Sequence, residues 1–127
     1  MQRLMPGVPR HKPCHVLGIA DPASAGPLAA LGCDTFDSCY ATRAGRHGTL
    51  LTDAGPLRVA AGRHKSAFRP PVEGCACATC RGHSLAYLHH LVKAKEPLAA
   101  ALMTLHNIHH MCRVMARLRE AIWRDEL

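Results

Sequence analysis

The chain has 127 residues and a mass of 13.7 kDa, the size of one small domain. Lys and Arg number 16 against 9 Asp and Glu, a net charge of +7 beside ten His, and 48% of residues are hydrophobic; disorder and collagen-like repeats are excluded. A closed eight-stranded α/β barrel needs roughly 250 residues, so at most about half of one fits here.

Residues 1–13 are rich in Pro and basic residues and read as irregular. They hold no apolar run of leader type, so a secretory signal is not expected. His15 to Ala20 has strand character. Asp21 to Pro27 (DPASAGP) is turn chemistry. Leu28 to Leu31 reads as a helical turn or the end of a short helix, stopped by Gly32. Cys33 to Cys39 reads as a second strand running into a loop, Ala41 to Gly48, which holds Arg43, Arg46 and His47. Thr49 to Thr52 and Leu57 to Ala61 suggest a hairpin around Asp53-Ala54-Gly55-Pro56. Gly62 to Gly74 is basic and contains Pro, hence a loop.

Ser84 to Lys95 places Leu85, Leu88, Leu91 and Val92 on one helical face, and Pro97 sits where a further helix begins. From Leu98 the pattern is helical nearly to the end. Ile108, Met111, Met115, Leu118 and Ile122 form an expected buried stripe. Arg113, Arg117, Glu120 and Arg124 are expected on the solvated side. The longest uncharged apolar stretch, Pro97 to Leu105, is far short of the ~20 residues that span a membrane.

Cys75-x-Cys77-x-x-Cys80 gathers three of the seven cysteines. An odd count with one tight cluster favours metal over disulfides and a reducing, cytoplasmic setting. Zinc needs four tetrahedral N or S ligands. The knuckle supplies three. His83 would close a compact site; His106, His109 or His110 would close a larger one, and spacing does not choose. The alternative is three reduced cysteines in a loop. With every position filled by protein, the metal would be structural.

Asp34 and Asp37 flank Phe36 near the end of the second strand. A carboxylate past a strand's C-terminal end is well placed to attack a sugar carbon, although spacing alone favours a surface or turn aspartate. Arg43 and Arg46 have the chemistry to contact phosphate or a base edge; spacing alone leaves them solvated.

HVLGIADP, LGCDTFDSCYATRAGRHGTLLT, CACATC and SLAYLHHLVKAKEPLAAALMTLHNIHHM, in this order, resemble the C-terminal third of the tRNA-guanine transglycosylases (queuine tRNA-ribosyltransferases), bacterial type, from about His15 onward. The resemblance implies an α/β fold. It would comprise the last strand/helix units of an incomplete (β/α)8 TIM barrel, a zinc-binding subdomain at about residues 70–110, and a long C-terminal helix, within one partial domain over 14–127. It implies exchange of the wobble guanine of tRNA for a 7-deazaguanine base, within queuosine biosynthesis, through a covalent intermediate on Asp37. Gly18, Ile19, Ala20, Asp21, Pro22, Ala23 and Ser24 fall on one tRNA-contacting loop of the family. Thr42, Arg43, Ala44, Gly45 and Arg46 fall on the loop that reads the wobble position. Leu17 and Gly18 match the base pocket. Cys75, Cys77, Cys80 and His106 match the zinc ligands. Ala41 replaces a usual Pro, Ser38 a common Cys and Leu17 a frequent Met.

The family's general acid and most of its base-specificity residues belong to earlier barrel strands. The chain is therefore expected to be a truncated transglycosylase, inactive alone. The implied partners are tRNA, the 7-deazaguanine base, and a second copy or a full-length transglycosylase on which it docks. The competing expectations are a non-enzymatic, zinc-containing tRNA-binding or partner module, and a zinc-stabilised domain unrelated to tRNA.

Overall fold

A computed structural model describes residues 7–9 and 11–126; the expectation for the irregular N-terminal segment falls partly outside them. The fold mixes α and β elements and divides into two compact units, Met1–Tyr40 with Met111–Leu127, and Ala41–His110. Among the described residues no helix is long and apolar enough to cross a membrane.

The first unit holds β1 (His15–Leu17), α1 (Pro22–Ala30) and β2 (Thr35–Asp37). β1 and β2 pair in parallel, with His15 opposite Thr35 and Leu17 opposite Asp37. The DPASAGP segment is a helix here, not a turn. Asp21 is its N-cap and accepts hydrogen bonds from the Ala23 and Ser24 N–H groups at 3.1 and 3.0 Å. Pro22 opens the first turn, where no donor is needed. Asp-Pro thus starts a helix rather than breaking one. At the far end Gly32 takes a φ of 93°. The Gly32 N–H donates to Ala29 O and the Cys33 N–H to Leu28 O, a Schellman closure. Val16, Leu28 and Cys33 form the core, with Val8, Cys14, Leu31 and Phe36 packed against it.

The second unit begins within α2 (Tyr40–Arg46). This segment was expected as a loop. Its alternation explains the helix: Ala41 and Gly45, four apart, are buried, while Arg43 and Arg46 are exposed. β3 (Thr49–Thr52) and β4 (Gly55–Arg58) form an antiparallel hairpin in which Thr52 faces Gly55. The turn is thus Asp53-Ala54, and Gly55 and Pro56 belong to the strand. A 3-10 turn, Gly62–His64, interrupts the basic loop. It is followed by α3 (Ala78–Gly82), α4 (Leu85–Ala94) and the 27-residue α5 (Pro97–Trp123), whose last part lies in the first unit. Leu50, Val59, Leu85, Leu88, Leu91, Ala99 and Met103 form the core.

The buried side of α5 departs from the expected stripe. It runs through Ala99, Met103, His106, Asn107, His110 and Val114, whereas Ile108 and Ile122 are exposed. The inner face is polar in its middle, so hydropathy alone misplaces it.

Candidate metal centre and active-site residues

The second unit brings Cys75, Cys77, Cys80 and His106 together. All four are buried, and their ligand atoms lie within 4.8 Å of one another. The Cys77 sulfur caps α3 by accepting the Cys80 N–H at 3.3 Å. This folds the knuckle so that all three sulfurs face His106 on α5. The His106 Nδ1 lies 3.7, 3.5 and 3.3 Å from the sulfurs of Cys75, Cys77 and Cys80. Zinc bonds of about 2.3 Å to sulfur and 2.05 Å to nitrogen, at tetrahedral angles, give S···N separations of about 3.6 Å. The donor set and its spacing therefore fit such an ion. Burial pushes the Cys80 thiol far above the ordinary thiol range, the state a cation would reverse.

His106 is oriented from behind. Its Nε2–H donates to Leu51 O at 2.9 Å, which leaves the Nδ1 lone pair for a metal. Asn107 completes the arrangement. Its Oδ1 accepts the Leu51 N–H at 2.8 Å, and its Nδ2 donates to Ala41 O and Thr49 O at 3.0 and 2.9 Å. One helical dipeptide thus holds the Cys/His cluster, β3 and the start of α2. Sequence reasoning missed Asn107. The available signal was a mid-helix Asn with no capping role. Of the other candidate ligands, His83 instead stacks on Tyr87, with ring centroids 5.3 Å apart. His110 is buried and stacks near His106 at 6.4 Å. His109 is half-buried, outside the cluster.

In α2, Gly45 packs so closely on α5 that an added Cβ would lie 2.8 Å from Thr104 N and 2.9 Å from its Cα. This glycine is a packing residue. Arg43 and Arg46 project outward, and Thr42 and Ala44 are half-buried.

In the first unit, the C-terminal ends of β1 and β2 lie side by side and present Leu17, Gly18 and Asp37 to solvent; Leu17 is 75% exposed. Asp37 Oδ1 accepts the Gly18 N–H at 3.2 Å. The Ser38 hydroxyl donates to Gly18 O at 3.4 Å and accepts the Tyr40 N–H at 3.1 Å. The segment after β1 is thereby tied to the end of β2, with the Asp37 carboxylate at the junction. Asp34 has a different task. Its Oδ2 accepts the Cys14 N–H at 2.6 Å, and its own N–H donates to Cys14 O at 2.9 Å. It fastens the strand starts at the opposite end of the pair. Ile19 is exposed and Ala20 half-buried. Asp21, Pro22, Ala23 and Ser24 form the start of α1. The hydrogen bond from Ser24 holds the Asp21 carboxyl below the usual carboxylate range, as suits a cap.

The family model described as queuine tRNA-ribosyltransferase matches residues 1–127. The queuine tRNA-ribosyltransferase of Protochlamydia amoebophila is 45% identical over 121 residues, covering 95% of this chain and 31% of the relative. That of Chlamydia pneumoniae is 43% identical over 119 residues, covering 93% and 32%. That of Chlamydia trachomatis serovar L2 is 44% identical over 117 residues, covering 91% and 32%. The chain spans about a third of the length of these relatives. It belongs to the queuine tRNA-ribosyltransferase family.

Proposed function

We propose that this chain carries the nucleophile and a structural zinc site of a tRNA-guanine transglycosylase. The reaction exchanges the wobble guanine of tRNA for a 7-deazaguanine base. The observation that carries the reading is Asp37. It is exposed at the C-terminal end of a parallel strand, with one carboxylate oxygen held by a backbone N–H. A carboxylate so fixed attacks the ribose C1′ as the bond to guanine breaks, forming a covalent sugar–carboxylate bond. The departing guanine takes the electron pair of the broken C1′–N bond and is protonated. The incoming base then attacks C1′ through a ring nitrogen, gives up the proton on that nitrogen, releases Asp37 as carboxylate and restores the original configuration. The Gly18 N–H orients the carboxylate. Leu17 and Gly18 offer a surface for the base, and Arg43 and Arg46 on α2 contact the tRNA.

Cys75, Cys77, Cys80 and His106 would hold one zinc ion per chain. Four protein ligands leave no open position, so the ion supplies structure rather than chemistry. β1–α1–β2 is read as a pair of strand units from a (β/α) barrel whose other strands supply the general acid and most of the base-specificity residues. A second reading, a partner module docking on a full-length transglycosylase, is favoured by Leu98, Leu105 and Ile108, which lie exposed along α5.

The test replaces the matching third of the Protochlamydia relative with this chain and follows labelled guanine into tRNA. Asp37→Asn is expected to reduce exchange at least about 1,000-fold, as for loss of a covalent nucleophile. Exchange that survives Asp37→Asn, in a chimera that is active before the change, refutes the assignment.

A further inference from the structure

The basic loop between β4 and the cysteine knuckle carries Phe68, which is 84% exposed. Its backbone is firmly fastened. The Leu85 N–H donates to Arg69 O and the Ala86 N–H to Ala67 O, both at 2.9 Å. The Tyr87 N–H donates to the Ser84 hydroxyl at 3.1 Å. The three leading donors of α4 are thus satisfied, two of them by the loop, so the loop cannot leave without stripping a helix start. Ala67 faces the core, Pro71 is buried, and Phe68 between them faces water.

The sequence around Phe68 is cationic. Arg63, Lys65 and Arg69 are exposed, and no acidic residue occurs between Asp53 and Glu73. The Arg69 guanidinium donates to the neighbouring Pro70 O at 3.3 Å.

We propose that Phe68, with Arg63, Lys65 and Arg69, is a contact site for single-stranded RNA, the ring stacking on an unpaired base while the cations hold adjacent phosphates. A flat ring on a backbone fixed in advance, with only two side-chain torsions to settle, costs little ordering on binding. Base–aromatic stacking tolerates any sequence because every base has a π face. A protein partner fits poorly. One ring offers little apolar area, and a protein partner would have to bring its own carboxylates to neutralise Arg63, Lys65 and Arg69, whereas a polynucleotide carries an anion at every residue. The site deepens the proposed function by adding an RNA contact away from Asp37, and rests on that reading only for which RNA is bound.

The experiment uses a fluorescein-labelled single strand of about 12 nucleotides, within the usual site sizes, and a duplex of the same sequence. Affinities for the chain and its variants come from anisotropy. Phe68→Ala is expected to weaken single-strand binding at least about 5-fold, to leave the duplex affinity unchanged, and to leave the melting temperature unchanged because the ring is 84% exposed. Phe68→Trp is expected to retain binding. Replacing Arg63, Lys65 and Arg69 with Ala is expected to lower the salt slope of single-strand binding by about 2, from three lost phosphate contacts. The proposal is overturned if the chain does not bind the single strand. Unchanged affinity on Phe68→Ala, or equal losses for strand and duplex, overturns it as well. Loss of guanine exchange in the chimera with the Phe68 dependence intact sinks the transglycosylase reading alone; the converse sinks this proposal alone.

Discussion

Asp34 and Asp37 hold opposite ends of the β1–β2 pair. Both carboxylates flank Phe36, and spacing treats them alike. Their hydrogen bonds separate them: Asp34 fastens the β1 backbone at Cys14, while Asp37 stands at the open end of the strand pair against Gly18. Gly45 is a second case. It lies in a motif whose resemblance implies RNA contact, yet its missing Cβ is what lets α2 touch the Thr104 backbone. Alanine is preferred over glycine within a helix by about 1 kcal/mol. Overpacking against backbone costs about 1–3 kcal/mol or more, and wins. Gly45→Ala should therefore lower stability in urea unfolding; an unchanged or raised midpoint would contradict the contact. The candidate metal-holding set was legible only through the family resemblance, because spacing left four histidines open. The geometry supplies the physical reason for His106: its Nε2 is committed to Leu51, and its Nδ1 meets all three sulfurs.

At the scale of elements, boundaries followed chemistry that hydropathy does not record. α4 was legible because Leu85, Leu88 and Leu91 pack at helical spacing. α1 and α2 were not, since Asp-Pro and the flanking glycines read as punctuation when one is a cap and another a packing contact. The inner face of α5 was misplaced because His106, Asn107 and His110 are polar and buried. Their partners, β3 and the cysteine knuckle, are distant in sequence. An ion held by Cys75, Cys77, Cys80 and His106 would tie α5, β3 and the knuckle together. Structural zinc contributes about 10–16 kcal/mol in small sites, more than most of the about 5–15 kcal/mol that holds a domain together. Chelation should therefore abolish the cooperative melt of the second unit and reduce its helicity; an undisturbed melt after complete metal removal would contradict the structural role. The loop before the knuckle carries a separate pH response. Burial, then the positive charges of Arg63 and Arg69 and the neighbouring His89, push the pKa of His64 below its ordinary 6.5. Its Nε2 has no hydrogen-bond partner among the described residues. The unfolded chain takes up this proton first, so the contribution is intact above pH 6.5 and is lost as pH falls below it toward the folded-state value. His64→Leu should flatten the stability profile below that pH relative to the unaltered chain. An identical acid slope in both proteins would show that His64 does not titrate this way.

At the scale of the whole molecule, family membership rests on the full length of the chain, while the relatives are about three times longer. The basic charge, the knuckle and the family motifs were all readable in order along the sequence. The division into two units was not, because α5 crosses it without any change in composition. Apolar side chains remain exposed on α5, at Leu98, Leu105 and Ile108. The central claim is that Asp37 forms the covalent bond to the tRNA ribose. Its most direct test is mass spectrometry of the chimera after incubation with tRNA and denaturation, with the modified peptide mapped. The account predicts a nucleotide-bearing adduct on Asp37 that disappears in Asp37→Asn and persists in Arg43→Lys. An adduct mapped to another residue, or one that survives Asp37→Asn, would contradict it.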